Sequence, residues 1–376
     1  MSVDQNEFQA LGREDVNSVE SILADDGVDF GVLAHETPVG GEAVFTWDYD
    51  RSRHGLSKLY ERAKSSQWNG SKDLDWSTDV DVQAVADEMS VAMAPLRRLL
   101  TDLPGSPLQS WGEREWARLA VEAFRWRMSQ FLHGEQGALI CTAKIVETVP
   151  WIDAKYYAAT QVMDEARHVE VFSRYLDTKL GGGYPVNPNL QLLIDDVIRD
   201  SRWDMTYMGM QIMIEGLALA AFGFMHHVTQ EPLLKKLLRY VMSDEARHVA
   251  FGVLSLHEYY DGLSGSEIRE RQEFAFEAAL RMRDRLMMHA VWDRCGIDKE
   301  TITRMMFEVR RPGVNPFQAS LFSKIVPNCK KLGLLDAGDG WLRDRFTEIG
   351  VIEFEDAPDT EVEYELLDAV AADRAG

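Results

Sequence analysis

The sequence is poor in the features that mark several common functional classes. It holds three cysteines in 376 residues, Cys141, Cys295 and Cys329, none in CxxC spacing. That scatter argues against a thiolate metal site or a disulfide framework and suits a reducing cytoplasm. No run of about 18 uncharged apolar residues occurs, so no membrane span is expected. The N-terminus, MSVDQNEFQA, is acidic and polar, so no secretory signal is expected there. Basic residues are in the minority, 40 Lys and Arg against 62 Asp and Glu, for a net charge of −22. This disfavours nucleic acid and anionic membranes as partners. No GxGxxG or CxxC signature points to a flavin or iron–sulfur group held by the chain itself. No strand-period stretch of any length stands out.

What is present is helical periodicity. Residues 1–50 carry several glycines and few apolar periods, and read as an irregular arm. Helical spacing follows over 55–68 and 81–103, and LPGSP then breaks the chain. From Glu113 to about Thr148 no proline interrupts the pattern, which predicts a helix near 36 residues long. Pro150 marks a turn, a second helix is expected over 151–180, and GGGYP ends it. A shorter connecting helix follows. Long helices are then expected over 203–228, from Pro232 to about 262, and over 264–295. The segment RRPGVNPF, 310–317, reads as a loop, and the acidic run at 353–376 as a solvated tail. The fold class expected is an all-α bundle of long antiparallel helices. Residues 1–110 would form an N-terminal arm with accessory helices, 111–295 the bundle, and 296–376 a C-terminal accessory region.

One pentapeptide, DEARH, occurs twice, at 164–168 and 244–248, each time inside an apolar stretch. Residues three apart share a helix face, so Glu165 points with His168 and Glu245 with His248. Glu135 precedes Glu165 by the same interval, 30 residues, as Glu215 precedes Glu245. Pro150 lies midway in the first interval, and the second turn falls near Gln230. At ~1.5 Å per residue, equal lengths of helix up and down return the chain to the same height. Two antiparallel hairpins would therefore each set a lone glutamate against a Glu-x-x-His. Four carboxylates buried together cost several kcal/mol apiece unless paired. Two divalent cations would cancel them. Oxygen and imidazole donors without thiolate select iron, or manganese in one position, over a structural zinc. This ligand pattern is that of dinuclear carboxylate bundles. A metal-bound histidine usually donates its second ring N–H to a carboxylate. Asp164 and Asp244 are placed to serve the histidine of the opposite hairpin, with Arg167 and Arg247 neutralising them.

These segments, with GEQGA and IMIEG around the lone glutamates, resemble the ferritin-like dinuclear-iron oxygenases and oxidases over residues 113–262. They are nearest in motif to the catalytic subunits of soluble bacterial hydrocarbon monooxygenases and to aryl-amine N-oxygenases. The resemblance implies a ferritin-like four-helix bundle in which Glu135, Glu165, His168, Glu215, Glu245 and His248 bind two irons. It also implies O₂-dependent oxidation, by hydroxylation or N-oxygenation, of a small, largely apolar organic substrate. Electrons would come from a separate reductase or ferredoxin, and a homodimer is allowed. The chain departs from individual subgroups. Leu219 stands where the hydrocarbon hydroxylases have threonine, and Val241 where the N-oxygenases have a third histidine. Phe172 stands where the small subunit of ribonucleotide reductase has its radical tyrosine. A ferritin-like oxidase or desaturase, or a radical or Mn/Fe ligand-binding oxidase related to that subunit, is the alternative reading.

Gly134, Gly137 and Ala138 leave room near Glu135. With Met208, Ile212 and Leu219, Gly134 and Ala138 are the expected lining of a substrate cavity. His226 and His227 read as a polar helix end, and His133 as pointing away from Glu135. Tyr156, Tyr157, Tyr175 and Tyr207 are expected core tyrosines.

Overall fold

The computed structural model describes residues 35–309 and 316–357, and among these no strand occurs. The N-terminal segment from His35 is irregular up to α1 (His54–Ser65). Two short helices, α2 (Val82–Val91) and α3 (Ala94–Asp102), follow where a single helix was expected. Pro95 lies in the first turn of α3, and its missing N–H and fixed φ favour a new helix start there.

The long helix α4 (Glu113–Thr148) runs its 36 residues unbroken. Pro150 separates it from α5 (Ile152–Tyr175), whose last turn widens into a π-helix, Leu176–Leu180. Gly181 and Gly182, both at positive φ, stop it. The connecting helix α6 (Pro188–Arg199) is capped by the Asn187 side chain.

The stretch expected as one helix over 203–228 is three contiguous pieces. These are α7 (Trp203–Tyr207), a π-helical segment Met208–Glu215, and α8 (Gly216–Val228). Trp203–Val228 is long and apolar enough to cross a membrane by composition, and 83% of its most apolar window is buried inside the protein. The Glu231 carboxylate caps α9 (Pro232–Tyr260) by accepting from the N–H groups of Leu233 and Leu234.

Beyond the bundle, α10 (Gly265–Asp284) opens on a Ser264–Glu267 capping box. The helix expected over 264–295 breaks here. A 3₁₀ turn and Met288, in the left-handed region at φ 52°, separate α10 from α11 (His289–Arg294). Next come α12 (Lys299–Glu308), α13 (Pro316–Lys331) and α14 (Trp341–Glu348). Pro316 and Phe317, expected in a loop, begin α13, while 310–315 lie outside the described residues. So do 1–34 and most of the acidic tail, 358–376.

The four-helix core pairs α4 with α5 and the Met208–Val228 stretch with α9, and α5 also packs on α9. Helix α1 lies across α5 and α9, α2 covers α4, and α13 covers α8. Close approach is set by small residues. A Cβ on Gly252 of α9 would sit 2.5 Å from the Gln211 Cβ, so only glycine lets α9 approach the π-helical segment there.

Candidate metal centre

The turn at Pro150 and the turn before Pro232 put the ligand-bearing residues of each hairpin at one height. The structure brings all six together. Glu135, Glu165, His168 and Glu245 offer donor atoms within 4.8 Å of one another, and so do Glu165, Glu215 and His248. The His168 Nδ1 lies 3.3 Å from Glu135 Oε2, 3.4 Å from Glu165 Oε2 and 3.2 Å from Glu245 Oε1. The His248 Nδ1 lies 3.0 Å from Glu165 Oε1, 3.9 Å from Glu215 Oε2 and 3.7 Å from Glu245 Oε2. Glu165 and Glu245 thus reach both imidazoles, while Glu135 and Glu215 each serve one. All six side chains are buried.

Each imidazole turns its other nitrogen toward the opposite hairpin. The His168 Nε2 lies 3.2 Å from Asp244 Oδ2, and the His248 Nε2 lies 3.4 Å from Asp164 Oδ2. Arg167 stands between the aspartates, its Nη2 donating to Asp164 Oδ1 at 2.5 Å and to Asp244 Oδ2 at 3.2 Å. Arg247 donates to Asp244 Oδ1. Asp164 and Asp244 therefore hold Nε2 of each ring, which leaves Nδ1 facing the carboxylates.

The electrostatics within the cluster are frustrated. Burial, reinforced by Glu245, raises Glu135 well above the usual carboxylate range, and burial reinforced by Glu165 and Glu245 does the same to Glu215. Against desolvation, Asp244 and Glu135 raise His168, and Glu165 and its neighbours raise His248. Desolvation opposes the ionised form of Glu165, and the two histidines overcome it and lower its pKa. Glu165 Oε2, Glu215 Oε2, both Glu245 oxygens and His248 Nδ1 are buried with no hydrogen-bond partner. Buried polar atoms rarely go unsatisfied, and carboxylate oxygens gathered around an imidazole nitrogen with no other partner are a donor set that divalent cations would satisfy. The donor set fits two divalent metal ions.

Several contributors were not read from the sequence. Gln161, one turn before Glu165 and fully buried, donates its Nε2 to Glu165 Oε1 at 3.0 Å and Glu215 Oε1 at 2.9 Å. Its i−4 spacing from a ligand was the available signal. Gln67 donates to Asp164 at 3.2 Å, and the Trp68 Nε1 donates to Asp244 Oδ2 at 2.7 Å. The Trp68 ring carries the Arg167 guanidinium 4.7 Å from its centroid. Both follow α1, in a polar stretch with no periodicity to mark them.

One helical turn from Glu135, Phe131 packs against Phe222 and Phe172, with ring centroids 4.6 and 6.0 Å away. This buried aromatic plug, one helical turn in sequence from Glu135 and His168, carries no hydroxyl, since the ring one turn after His168 is Phe172. Of the residues expected to line a substrate cavity, Ala138, Met208, Ile212 and Leu219 are buried. Gly134 is half-buried, and a Cβ built on it would meet nothing within 4 Å. Gly137 is different, because its Cβ would strike Ile194, so its role is close packing against α6. His133 bonds the Tyr184 carbonyl at 2.8 Å, away from the cluster. His226 and His227 end α8 and belong to neither ligand group. Tyr157, Tyr175 and Tyr207 are buried core residues, and Tyr156 stacks on Tyr60.

No family model and no curated protein matches the chain. Among solved structures it is similar to R2-like ligand-binding oxidases. One has an aerobically reconstituted Mn/Fe cofactor after a long soak (TM-score 0.49, 16% identity, 76% of this chain and 94% of that one). A point variant with an anaerobically reconstituted Mn/Fe cofactor gives TM-score 0.49 and 16% identity over 78% of this chain and 96% of that one. A further variant with a non-activated Mn/Mn cofactor gives TM-score 0.45 and 16% identity over 76% and 94%.

Proposed function

We propose that the chain is a dinuclear metal oxidase in which Glu135, Glu165, His168, Glu215, Glu245 and His248 hold two ions, iron in both positions or manganese in one. The observation that supports it most is the set of orphan carboxylate oxygens around His248 Nδ1, buried where no solvent can satisfy them. Two such ions would supply O₂ binding and its reduction. The chain's own part is to orient and to exclude water. Asp164 and Asp244 fix the imidazole tautomers, Gln161 orients Glu165 and Glu215, and the phenylalanine plug keeps one side dry. Electrons would come from a separate reductase or ferredoxin. The half-buried Trp68, bonded to Asp244 and through it to His168, gives them a route from the surface.

A second reading, oxygenation of a small apolar substrate, draws on the open space beside Gly134. The experiment for the main reading is metal analysis of protein expressed with iron and manganese supplied together, followed by anaerobic reduction and O₂ uptake. Two bound ions per chain with O₂ consumed faster than by free ferrous ion is the expected result. A single zinc, or two metals retained in Glu165→Ala, refutes it.

A further inference from the structure

Between the end of α1 and the outer face of α5 lies a recess of about 580 Å³, within the size range of small-molecule sites. Tyr60 and Lys64 come from α1, Trp68 and Asn69 from the aperiodic stretch after it, and Tyr156 and Met163 from α5. Tyr156, Thr160 and Met163 recur at i, i+4 and i+7, so α5 turns them to one face, while Gln161, Glu165 and His168 turn to the metal site. The stretch after α1 is held down on α5. A Cβ on Gly70 would sit 2.6 Å from the Val171 Cγ1, and the Trp76 Nε1 donates to the Gly70 carbonyl at 2.6 Å.

Trp68 joins this recess to the metal site. It lines the recess, its Nε1 donates to Asp244 Oδ2 at 2.7 Å, and that oxygen lies 3.2 Å from His168 Nε2. The Trp68 and His168 rings are 6.4 Å apart, centroid to centroid. A chain of rings and hydrogen bonds can pass electrons singly and offers no path for a hydride. A donor seated here must therefore release electrons one at a time, which excludes a nicotinamide as the direct donor.

The walls specify the shape of that donor. Tyr60 and Tyr156 are half-buried with ring centroids 5.6 Å apart, and Met163 is a large apolar side chain left 62% exposed. Aromatic and methionine walls suit a flat ring. They offer little to a phosphate, because Lys64 is paired with Glu61 at 2.7 Å and the other charge in the wall is Asp73. One edge is polar. The Asn69 Oδ1 accepts from the N–H groups of Ser71 and Lys72, which leaves its Nδ2 with no partner among the described residues. The Thr160 hydroxyl donates to the Tyr157 carbonyl at 2.7 Å and can still accept.

We propose that this recess binds the isoalloxazine ring of a reduced flavin, with the carbonyl and N–H groups of its polar edge toward Asn69 and Thr160, and that the separate reductase delivers its electrons in this form. The purpose rests on the dinuclear reading above, and the binding does not. One dihydroflavin loses two electrons and two protons as it becomes oxidised flavin. The electrons, passed singly through Trp68, take two trivalent metal ions to divalent, and the protons leave to solvent at the open side of the recess.

Lumiflavin, the ring without a phosphate, tests the site on the metal-free full chain, because aromatic side chains quench its fluorescence. It should saturate one site, and flavin mononucleotide should bind there no more tightly. Met163→Glu, at an exposed position that folding does not need, sets a carboxylate against the ring and should weaken lumiflavin by about tenfold or more. Val91→Glu, equally exposed but outside the recess, should leave binding unchanged. On iron-loaded protein, Met163→Glu should slow reduction by photoreduced lumiflavin and spare reduction by dithionite. Lumiflavin binding that survives Met163→Glu, or no binding to the native chain, overturns the site. Tighter binding of the mononucleotide overturns recognition of the ring alone. Equal rates of flavin reduction in native and Met163→Glu protein overturn the role as donor site. A chain that binds lumiflavin here and holds no metal pair supports the site and removes the dinuclear reading, so the two fail separately.

Discussion

Arg167→Leu isolates the charge balance behind the ligands, because Arg167 touches no ligand carboxylate and supports both aspartates that orient the histidines. In the structure its guanidinium gives Nη2 to Asp164 and Asp244 and Nη1 to Gln67 Oε1 at 2.9 Å and the Trp68 carbonyl at 3.0 Å. Leucine fills much of the volume and removes the cation. Asp244 keeps Arg247, but Asp164, fully buried, keeps only Gln67 and the distant side of His248. Removing one partner of a buried ion pair costs about 3–5 kcal/mol, because the remaining charge is left unpaired. At about 2.1 cal/mol/K per residue, a 376-residue chain has an unfolding entropy near 0.8 kcal/mol/K, so Tm should fall by about 4–6 °C. The assay is calorimetry of metal-free and metal-loaded protein, with metal stoichiometry measured at saturating iron. Two ions should still bind, because every ligand remains. A Tm within about 1 °C of wild type, or loss of metal without loss of stability, would falsify the view that Arg167 serves the aspartates rather than the cations.

Three shorter predictions follow from the same geometry. Trp68→Leu removes the N–H that Asp244 accepts at 2.7 Å, and should slow reduction by a protein donor far more than reduction by dithionite. Equal effects on both would remove Trp68 from the electron route. Gly134→Ala adds a Cβ into space free to 4 Å within an uninterrupted helix, so it should raise stability by about 0.5–1 kcal/mol. A destabilised variant would mean the space is not free. Burial raises Glu135 and Glu215, and the neighbouring carboxylates raise His168 and His248, so protons compete with cations for these donor atoms. Apparent metal affinity should rise with pH and fall as pH drops, about tenfold per pH unit for each proton displaced. Loading in weak buffer without proton release would contradict the raised values.

The sequence showed the site more fully than it showed the fold around it. The 30-residue spacings and the turn at Pro150 were enough to place six side chains together, because helix rise is rigid and antiparallel pairing follows from a short turn. The same rule placed Asp164 and Asp244 across from the opposite histidines. Periodicity could not locate the breaks. Nothing in RDRLMMHA announces that Met288 turns left-handed, since the strain is imposed by packing that is distant in sequence. The π-helical segment Met208–Glu215 reads as plain α-helix for a similar reason, because one residue of excess per turn leaves the apolar pattern intact over so short a span. Gln67 and Trp68 were invisible because they reach the site from an aperiodic segment, bridging about 100 residues of chain to Arg167 and Asp164. Tertiary contact of that range leaves no local trace.

The duplication is exact in the pentapeptide and inexact in its surroundings, and the difference bears on what the two positions can do. The aspartate serving His168 is Asp244, which accepts from Arg167, Arg247 and the Trp68 indole as well as from the imidazole. Despite desolvation, Arg247 and His168 hold its carboxyl well below the ordinary range. The aspartate serving His248 is Asp164, which has Arg167 and the neutral amide of Gln67. The carboxylates differ likewise. His168 Nδ1 has three glutamates within 3.4 Å, whereas His248 Nδ1 has Glu165 alone at that range and Glu245 and Glu215 at 3.7 and 3.9 Å. Ligand basicity depends on the partners behind the ligand as much as on the ligand itself. One position is therefore tight and heavily supported, and the other is looser, with Gln161 bonded to two of its carboxylates. Two unlike positions built from one repeated motif give a chain the means to hold two different ions, or to treat two identical ions differently.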